Sequence, residues 1–159
     1  MGYLAWKFLH VLSAILFVGN ITTGVFWAAH AAASRDLQTV GRTFEGIIRA
    51  DRLFTTPGVV GLTVSGIAAA IAGGQSILGT GWILWGLVLL LISGAAFGMR
   101  VVPLQRAIAA LARQPAGERD AWAEFEALYR SWKVWGAVAL LTPLAAVVIM
   151  VVKPVLPAL

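Results

Sequence analysis

The sequence lacks cysteine altogether, and only 12% of its 159 residues are charged. Without cysteine the chain cannot form disulfides, thiolate zinc sites, iron–sulfur clusters or cysteine nucleophiles. Soluble domains carry about 25% charged residues because their surface faces water. This chain is 60% hydrophobic with a mean hydropathy of +0.87. Its composition therefore indicates a protein whose surface mostly faces lipid.

Long stretches without charge divide the chain. No charged residue lies between Arg52 and Arg100, and Gly73 and Gly74 interrupt that stretch near its middle. Because about 20 apolar residues cross the hydrocarbon core of a bilayer, the stretch predicts two crossings and a turn. The charge-free runs 8–34 and 134–152 predict one crossing each. We expect an all-α fold, a four-transmembrane-helix bundle.

The whole chain, residues 1–159, is predicted to form a single integral membrane domain. After the first span, apolar residues at helical spacing share a segment with arginines, which predicts an amphipathic interfacial helix that begins behind Ser34 as its N-cap. The spacing of Gly94 and Gly98 predicts an internal packing face. The predicted ranges are spans at about 4–33, 57–73, 81–100 and 132–153, an interfacial helix at about 37–53, cytoplasmic helical extensions at about 101–113 and 118–131, and a turn at 114–117.

The basic residues are distributed unevenly. Of the 12 Lys and Arg residues, only Lys7 and Lys153 lie outside the segments that follow spans one and three. Cytoplasmic segments are rich in Lys and Arg, so we expect a bacterial inner-membrane protein with both termini in the periplasm. Basic residues beside apolar spans require no nucleic acid. The expected partners are the lipid bilayer and either another membrane protein or a second copy of the chain.

His10 is the candidate ligand of the first span. An ionisable side chain inside a membrane usually faces the bundle interior and marks a function, and imidazole is a common ligand of heme iron. The alternative is a hydrogen bond from His10 to a carbonyl or hydroxyl on a neighbouring helix, and the sequence leaves both open. His30 lies about 30 Å further along the same helix, so the two histidines cannot share one metal.

Further candidates lie near the two membrane surfaces. Met150 and Lys153 are expected at the level of Lys7 and His10, where they would line one outward-side pocket if the first and last spans touch. Arg100 could neutralise a heme propionate or a lipid phosphate, or extend to the headgroups. No acidic residue is predicted within a span, which argues against a transporter that couples to protons or sodium through buried carboxylates.

Three stretches carry a resemblance to known proteins, namely 6–19, 100–106 and 132–154. Together they resemble an uncharacterised bacterial family of small, four-helix predicted integral membrane proteins, over essentially the whole chain. More distantly, the chain is similar to copper-resistance protein D and to the heme-containing membrane protoporphyrinogen oxidase. In that oxidase an early histidine of the first helix is associated with heme, and His10 matches it. The oxidase also relies on an intramembrane lysine that spans two and three lack here.

The resemblance and the deep histidine favour a membrane protein that binds a b-type heme or related porphyrin through His10, in a redox or heme-related role. The alternative is a non-enzymatic membrane scaffold or assembly factor without a cofactor, because the spans hold no complete catalytic set. A small-molecule or metal transporter is the third hypothesis. The sequence does not decide whether the protein is an enzyme.

Overall fold

The computed structural model describes residues 2–113 and 118–159, and all regular structure in these ranges is helical. The predicted turn at 114–117 lies outside the described residues. Four helical stretches are long and apolar enough to cross a membrane, so the all-α, four-span prediction is confirmed. The helices are α1 (Tyr3–Ala33), α2 (Leu37–Ala50), α3 (Thr56–Ala72), α4 (Gly81–Ala96), α5 (Val102–Leu111) and α6 (Glu118–Val152).

Two π-helical turns each join two helices, the first where the sequence predicted a break before Pro57 and the second where it predicted that the helix continues past Pro103. Asp51–Thr55 connects α2 to α3, and Phe97–Val101 connects α4 to α5, so each pair runs on as one continuous rod. A proline follows each π turn, Pro57 and Pro103 respectively. Proline has no N–H, and its ring clashes with the carbonyl four residues earlier. The wider π turn accommodates that missing hydrogen bond without breaking the helix.

The helices pack in antiparallel pairs, α1 with α3 and α4 with α6. In the first pair small residues of α3 meet larger side chains of α1. A Cβ atom added to Gly58 would lie 3.1–3.2 Å from Phe17, including its backbone, and one added to Gly61 would lie 2.7 Å from the Ser13 hydroxyl. Small residues let helix backbones approach closely in lipid, where van der Waals packing drives association.

In the second pair, a serine hydroxyl replaces a backbone hydrogen bond that a proline removes. Pro143 lies inside α6 and leaves the carbonyl of Ala139, four residues earlier, without its helical donor. The buried Ser93 of α4 donates to that carbonyl at 2.7 Å. The helix therefore continues through the proline, and the same bond fixes α4 against α6.

The bundle has two unlike ends. The basic end carries the arginines that follow α1 and the second π turn, and the terminal end carries both chain termini and the loop between α3 and α4. At the terminal end, the N–H of Leu159 donates to the Leu78 carbonyl at 3.1 Å, and Trp85 Nε1 donates to the Pro157 carbonyl at 3.2 Å. The segment after α6 thus lies against the start of α4.

The shared core lies toward the basic end. Its fully buried members come from α1, α2, α5 and α6, and the largest of them is Phe44, whose ring lies 5.3 Å from that of Trp132. Along α6, rings three or four residues apart follow one another, and Phe125 and Tyr129 stack at 5.3 Å. Toward the terminal end α1 packs on α3 and α4 packs on α6, and α3 forms no packed interface with α4 among the described residues.

The apolar face of α2 contacts protein. Val40, Phe44 and Ile47 are buried, and α2 packs on α5 and α1. The helix cap also differs from the prediction, because Ser34 closes α1 while Asp36 accepts hydrogen bonds from Gln38 and Thr39 at the start of α2. Asp36 takes this position because Arg35 adopts a left-handed conformation, φ 52°, that reverses the chain.

Gly94 and Gly98 do not form the internal packing face that their spacing predicted. A Cβ atom added to either would meet nothing within 4 Å among the described residues. The face of α4 that packs on α6 instead carries Gly86 and Ser93, which contact Met150 and Ala139. The GxxxG spacing identified small residues but not the side of the helix that is covered.

Candidate functional site

A buried carboxylate belongs to the first π turn, where this turn contacts α1 and a side chain of α5. Asp51 is only 7% exposed and accepts hydrogen bonds from side chains of three different helical rods. Asn20 Nδ2 lies 3.1 Å from Asp51 Oδ1, Thr55 Oγ1 lies 2.8 Å from the same oxygen, and Gln105 Nε2 lies 2.9 Å from Oδ2. Asn20 Nδ2 also donates to Thr55 Oγ1 at 2.8 Å. We call these four residues the Asp51 cluster.

In the Asp51 cluster, neutral side chains donate hydrogen bonds to the carboxyl oxygens of Asp51. No Lys or Arg lies within ion-pair distance of Asp51 among the described residues. Three donors on two oxygens satisfy most of the lone pairs that a carboxylate presents. Such networks hold helices together and specify their arrangement. They are also where an ionisable group inside a membrane protein becomes functional.

A small cavity of about 20 Å³ adjoins the cluster and is lined by Asp51, Gln105 and Trp132 together with apolar side chains of α1 and α6. Trp132 is 3% exposed, and its Nε1–H has no hydrogen-bond partner among the described residues. Buried polar groups are nearly always paired, and a cavity of this size accommodates one water molecule. The cavity has polar groups for such a water, so the buried carboxylate has room for a further ligand.

His10 lies on the α1–α3 interface. Its Nδ1 donates to the Leu62 carbonyl at 2.8 Å, and a Cβ atom on Gly66 would come within 2.7 Å of the ring. Because a carbonyl only accepts, Nδ1 carries the proton, and Nε2 keeps its lone pair in the neutral ring. Nε2 has no hydrogen-bond partner among the described residues. The carbonyl contact that the sequence offered as an alternative to ligation is therefore present, and it leaves one ring nitrogen available.

Of the other predicted site residues, only Lys7 lies on the same helix as His10. Lys7 shares α1 with His10, and its Nζ lies 5.8 Å from the centre of the Tyr3 ring. On α6, Met150 packs against Gly86 of α4, and Lys153 Nζ lies 5.0 Å from the Trp82 ring. These two side chains belong to the α4–α6 pair, so they do not meet His10 in the predicted outward-side pocket.

Arg100 lies near the opposite end of the bundle. It belongs to the second π turn, and its guanidinium lies 5.2 Å from the centre of the Trp135 ring. His30 packs beside Phe26 and Trp27 on the exposed side of α1. Among the described residues, no group of three or more His, Cys, Asp or Glu side chains could hold a metal ion. A metal ion at His10 would therefore need its other ligands from a cofactor, as iron has in heme.

The sequence match agrees with the fold. The family of predicted integral membrane proteins termed DUF2269 matches residues 4–154. The chain belongs to the DUF2269 family. No curated protein and no solved structure matches it. The distant similarity to copper-resistance protein D and to the heme-containing oxidase thus stays a prediction for this DUF2269 protein.

The Asp51 cluster of this DUF2269 chain escaped the sequence analysis. The sequence predicted that Asp51 lies in the interfacial segment, before the second span begins at about residue 57, and gave no reason to expect it buried. The structure buries it within the continuous helical stretch Leu37–Ala72. Its neighbours Arg49 and Arg52 made the segment look interfacial. The signal that could have revealed it is Thr55, one helical turn after Asp51 and just before Pro57, together with the polar Asn20 in span one.

Proposed function

We propose that this DUF2269 protein binds a b-type heme, or a related porphyrin, through His10. The observation that carries the proposal is the hydrogen bond from Nδ1 to the Leu62 carbonyl at 2.8 Å. Histidines that ligate metals usually donate their other ring nitrogen to a carbonyl or carboxylate, which fixes the tautomer and the ring orientation. Gly66 supports the same orientation, since a larger residue there would displace the ring.

The residues near His10 could supply one ligand to the heme iron and one basic side chain to a propionate. His10 Nε2 would ligate the iron, and Lys7, one helical turn away on α1, would neutralise a propionate. Met150 and Lys153 pack on α4, so we assign neither as the second ligand. A heme held in this way would supply one-electron chemistry, consistent with a redox or heme-related role. The chain's own contribution is to hold the imidazole ring in one tautomer and one orientation.

The test is an absorption spectrum of the full chain purified in detergent, before and after hemin is added. We expect a Soret band that His10→Ala abolishes. His30→Ala is the matched control, because it removes the other histidine from the exposed side of α1 and should leave the band unchanged. No Soret absorbance after hemin is added, or an equal band in His10→Ala, would refute the proposal.

The membrane placement belongs to the same proposal. We place the protein in a bacterial inner membrane with the basic end in the cytoplasm and both termini in the periplasm, because ten of 12 Lys and Arg residues lie in the segments at that end. We place α2 at the cytoplasmic interface, since charged residues cover the face that does not pack on protein. If no cofactor is found, the exposed parts of α2 and of segment 118–133 are the docking surfaces of a membrane scaffold.

A second candidate function rests on Asp51. A buried carboxylate that is surrounded by neutral donors and adjoins a cavity is suited to take up a proton or a small cation, as in coupled transporters. The predicted lack of an acidic residue within a span argued only against coupling to protons or sodium, and a small-molecule or metal transporter stayed the third hypothesis. π turns, which flank the cluster here, are frequent at functional sites. The transported species would pass along the α1–α6 contact, where the cavity lies.

Infrared difference spectroscopy of the reconstituted protein can test the second function. Protonation of Asp51 should give a carboxylic C=O band that Asp51→Asn removes. Glu45→Gln is the control, since Glu45 lies at the surface in an ion pair with Arg113. If no band appears over the accessible pH range and liposomes show no pH-driven flux, the cluster is purely structural.

A further inference from the structure

A cleft of about 260 Å³ opens at the basic end between the last turn of α1 and the first half of α6, well away from His10 and Asp51. Such a volume lies just below the about 300 Å³ of small-molecule sites. It is lined by Ala32, Arg35, Trp122, Phe125, Glu126, Tyr129, Arg130 and Lys133.

One wall of the cleft is aromatic. The rings of Trp122 and Phe125 lie 4.8 Å apart, and Phe125 stacks on Tyr129 with an angle of 16° between the planes. Phe125 is fully buried beneath its two neighbours, which are partly exposed. This wall offers an apolar surface and two polar edges, a combination typical of side chains at the level of lipid headgroups.

The rim of the cleft is cationic. Arg35, Arg130 and Lys133 are all exposed, and none has an ion-pair partner among the described residues. Lys133 Nζ lies 5.1 Å from the centre of the Tyr129 ring, which keeps it at the cleft. The one acidic side chain of the lining, Glu126, accepts a hydrogen bond from Trp122 Nε1 at 2.9 Å. Among the side chains that the structure describes, the cleft therefore presents three cations and one carboxylate.

Arg35 is held toward this cleft by the turn that it forms. It adopts φ 52°, a left-handed conformation that is rare outside glycine, asparagine and aspartate. The turn is fixed on both sides, because Ser34 donates to the Ala31 carbonyl and Asp36 caps α2. Arg35 lines the same cleft as Arg130 and Lys133 of α6, so side chains from two parts of the chain supply like charges that a bound anion would neutralise.

We propose that this cleft binds the phosphate of an anionic phospholipid. A phosphodiester supplies the charge that three cations recognise, the aromatic wall suits the adjoining glycerol and chain ends, and basic pockets between membrane helices bind such headgroups. The cleft lies beside the start of the apolar stretch Ala121–Val152, where headgroups and basic side chains meet. A free phosphate shares the charge but lacks the apolar part. The proposal is independent of heme binding and of Asp51.

The experiment is native mass spectrometry of the full chain in detergent, titrated with phosphatidylglycerol or phosphatidylcholine. The test variant carries Arg35→Gln, Arg130→Gln and Lys133→Gln. The control carries Arg42→Gln, Arg49→Gln and Arg106→Gln, which removes as many exposed charges away from the cleft. We expect the test variant to bind phosphatidylglycerol about 10-fold or more weakly. The control should change by less than about threefold, and phosphatidylcholine binding should not respond to either set.

Three outcomes would overturn the proposal. Equal losses in both triple variants would mean that general charge, and not the cleft, attracts the lipid. Inorganic phosphate that displaces phosphatidylglycerol at similar concentration would identify a soluble phosphate ligand instead. Unchanged binding in the test variant, with circular dichroism showing it to be folded, would remove the site. Should the triple variant fail to fold, Lys133→Gln alone must still weaken phosphatidylglycerol binding measurably.

Discussion

Toward the basic end, side chains from α1, α2, α5 and α6 fill one core that includes Phe44, and the Asp51 cluster ties three helical rods together. Toward the terminal end, α1 packs on α3 and α4 on α6, with no packed interface between α3 and α4 among the described residues. In lipid the hydrophobic effect does not draw helices together, so each contact needs close packing or a hydrogen bond. One end is therefore held by a core and a hydrogen-bond cluster shared among several helices, whereas the other relies on contacts within two helix pairs.

The largest expected effect comes from Phe44→Ala in the shared core. Phe44 is 0% exposed and contacts Trp132, so truncation leaves a cavity that three helices cannot easily fill. We expect a loss of about 3–5 kcal/mol in the free energy of unfolding, measured by titration with a denaturing detergent. Phe8→Ala in α1 is the control, because Phe8 is 65% exposed at the terminal end. Equal losses from both would abolish the distinction between the ends.

The next effect concerns the α1–α3 pair. Gly66→Ala would place a Cβ atom 2.7 Å from His10 Cε1, so the ring must move and its bond to Leu62 must lengthen. We expect about 1–3 kcal/mol of destabilisation from overpacking, and a weaker Soret band if heme is bound. Gly94→Ala meets nothing within 4 Å and serves as the matched control. A Gly66→Ala protein as stable as the control would show that the pair tolerates separation.

A smaller effect tests the α4–α6 pair through a double-mutant cycle. Ser93→Ala removes the donor to the Ala139 carbonyl and should cost about 1 kcal/mol. In a Pro143→Ala background residue 143 regains its N–H, which can bond the same carbonyl, so the cost should fall toward zero. The measurement is the unfolding free energy of the four proteins. Strict additivity would mean that the hydroxyl does not replace the missing helical bond.

The smallest effect lies at the start of α2. Hydrogen bonds from the Thr39 hydroxyl and from the N–H groups of Thr39 and Gln38 hold the pKa of Asp36 below its ordinary value of 3.8. A lowered folded-state pKa stabilises the helix start above that ordinary value, and the stabilisation is lost as the pH falls through the lowered one. Amide exchange near Val40 should therefore rise on acidification below pH 3.8.

Asp36→Asn is the matching variant, because asparagine also caps helices but does not titrate in this range. It should keep the helix start and lose the acid dependence of exchange. Acid-induced fraying that persists in Asp36→Asn would assign the effect to another group.

Sequence reasoning predicted the four spans and the family, because missing charge and apolar length are direct consequences of a lipid environment. It could not predict which face of each helix is covered. Gly94 and Gly98 form a packing motif, but they lie on an open face of the helix. Their neighbour Ser93 makes the contact with α6 instead. The arginines near Asp51 made its segment look interfacial. Its burial could not be predicted, because it depends on a contact with Gln105 of a helix that is distant in sequence. The role of His10 stays a prediction.

The contact between Leu159 and Leu78 has a practical consequence for mapping the protein. A reporter fused behind Leu159 and one inserted at the Gly74–Gln75 loop would occupy neighbouring positions, so both must signal from one compartment. The two fusions form an internal check that requires no assumption about arginines. Disagreement between them would mean that a fusion, and not the native chain, decides how the polypeptide is threaded.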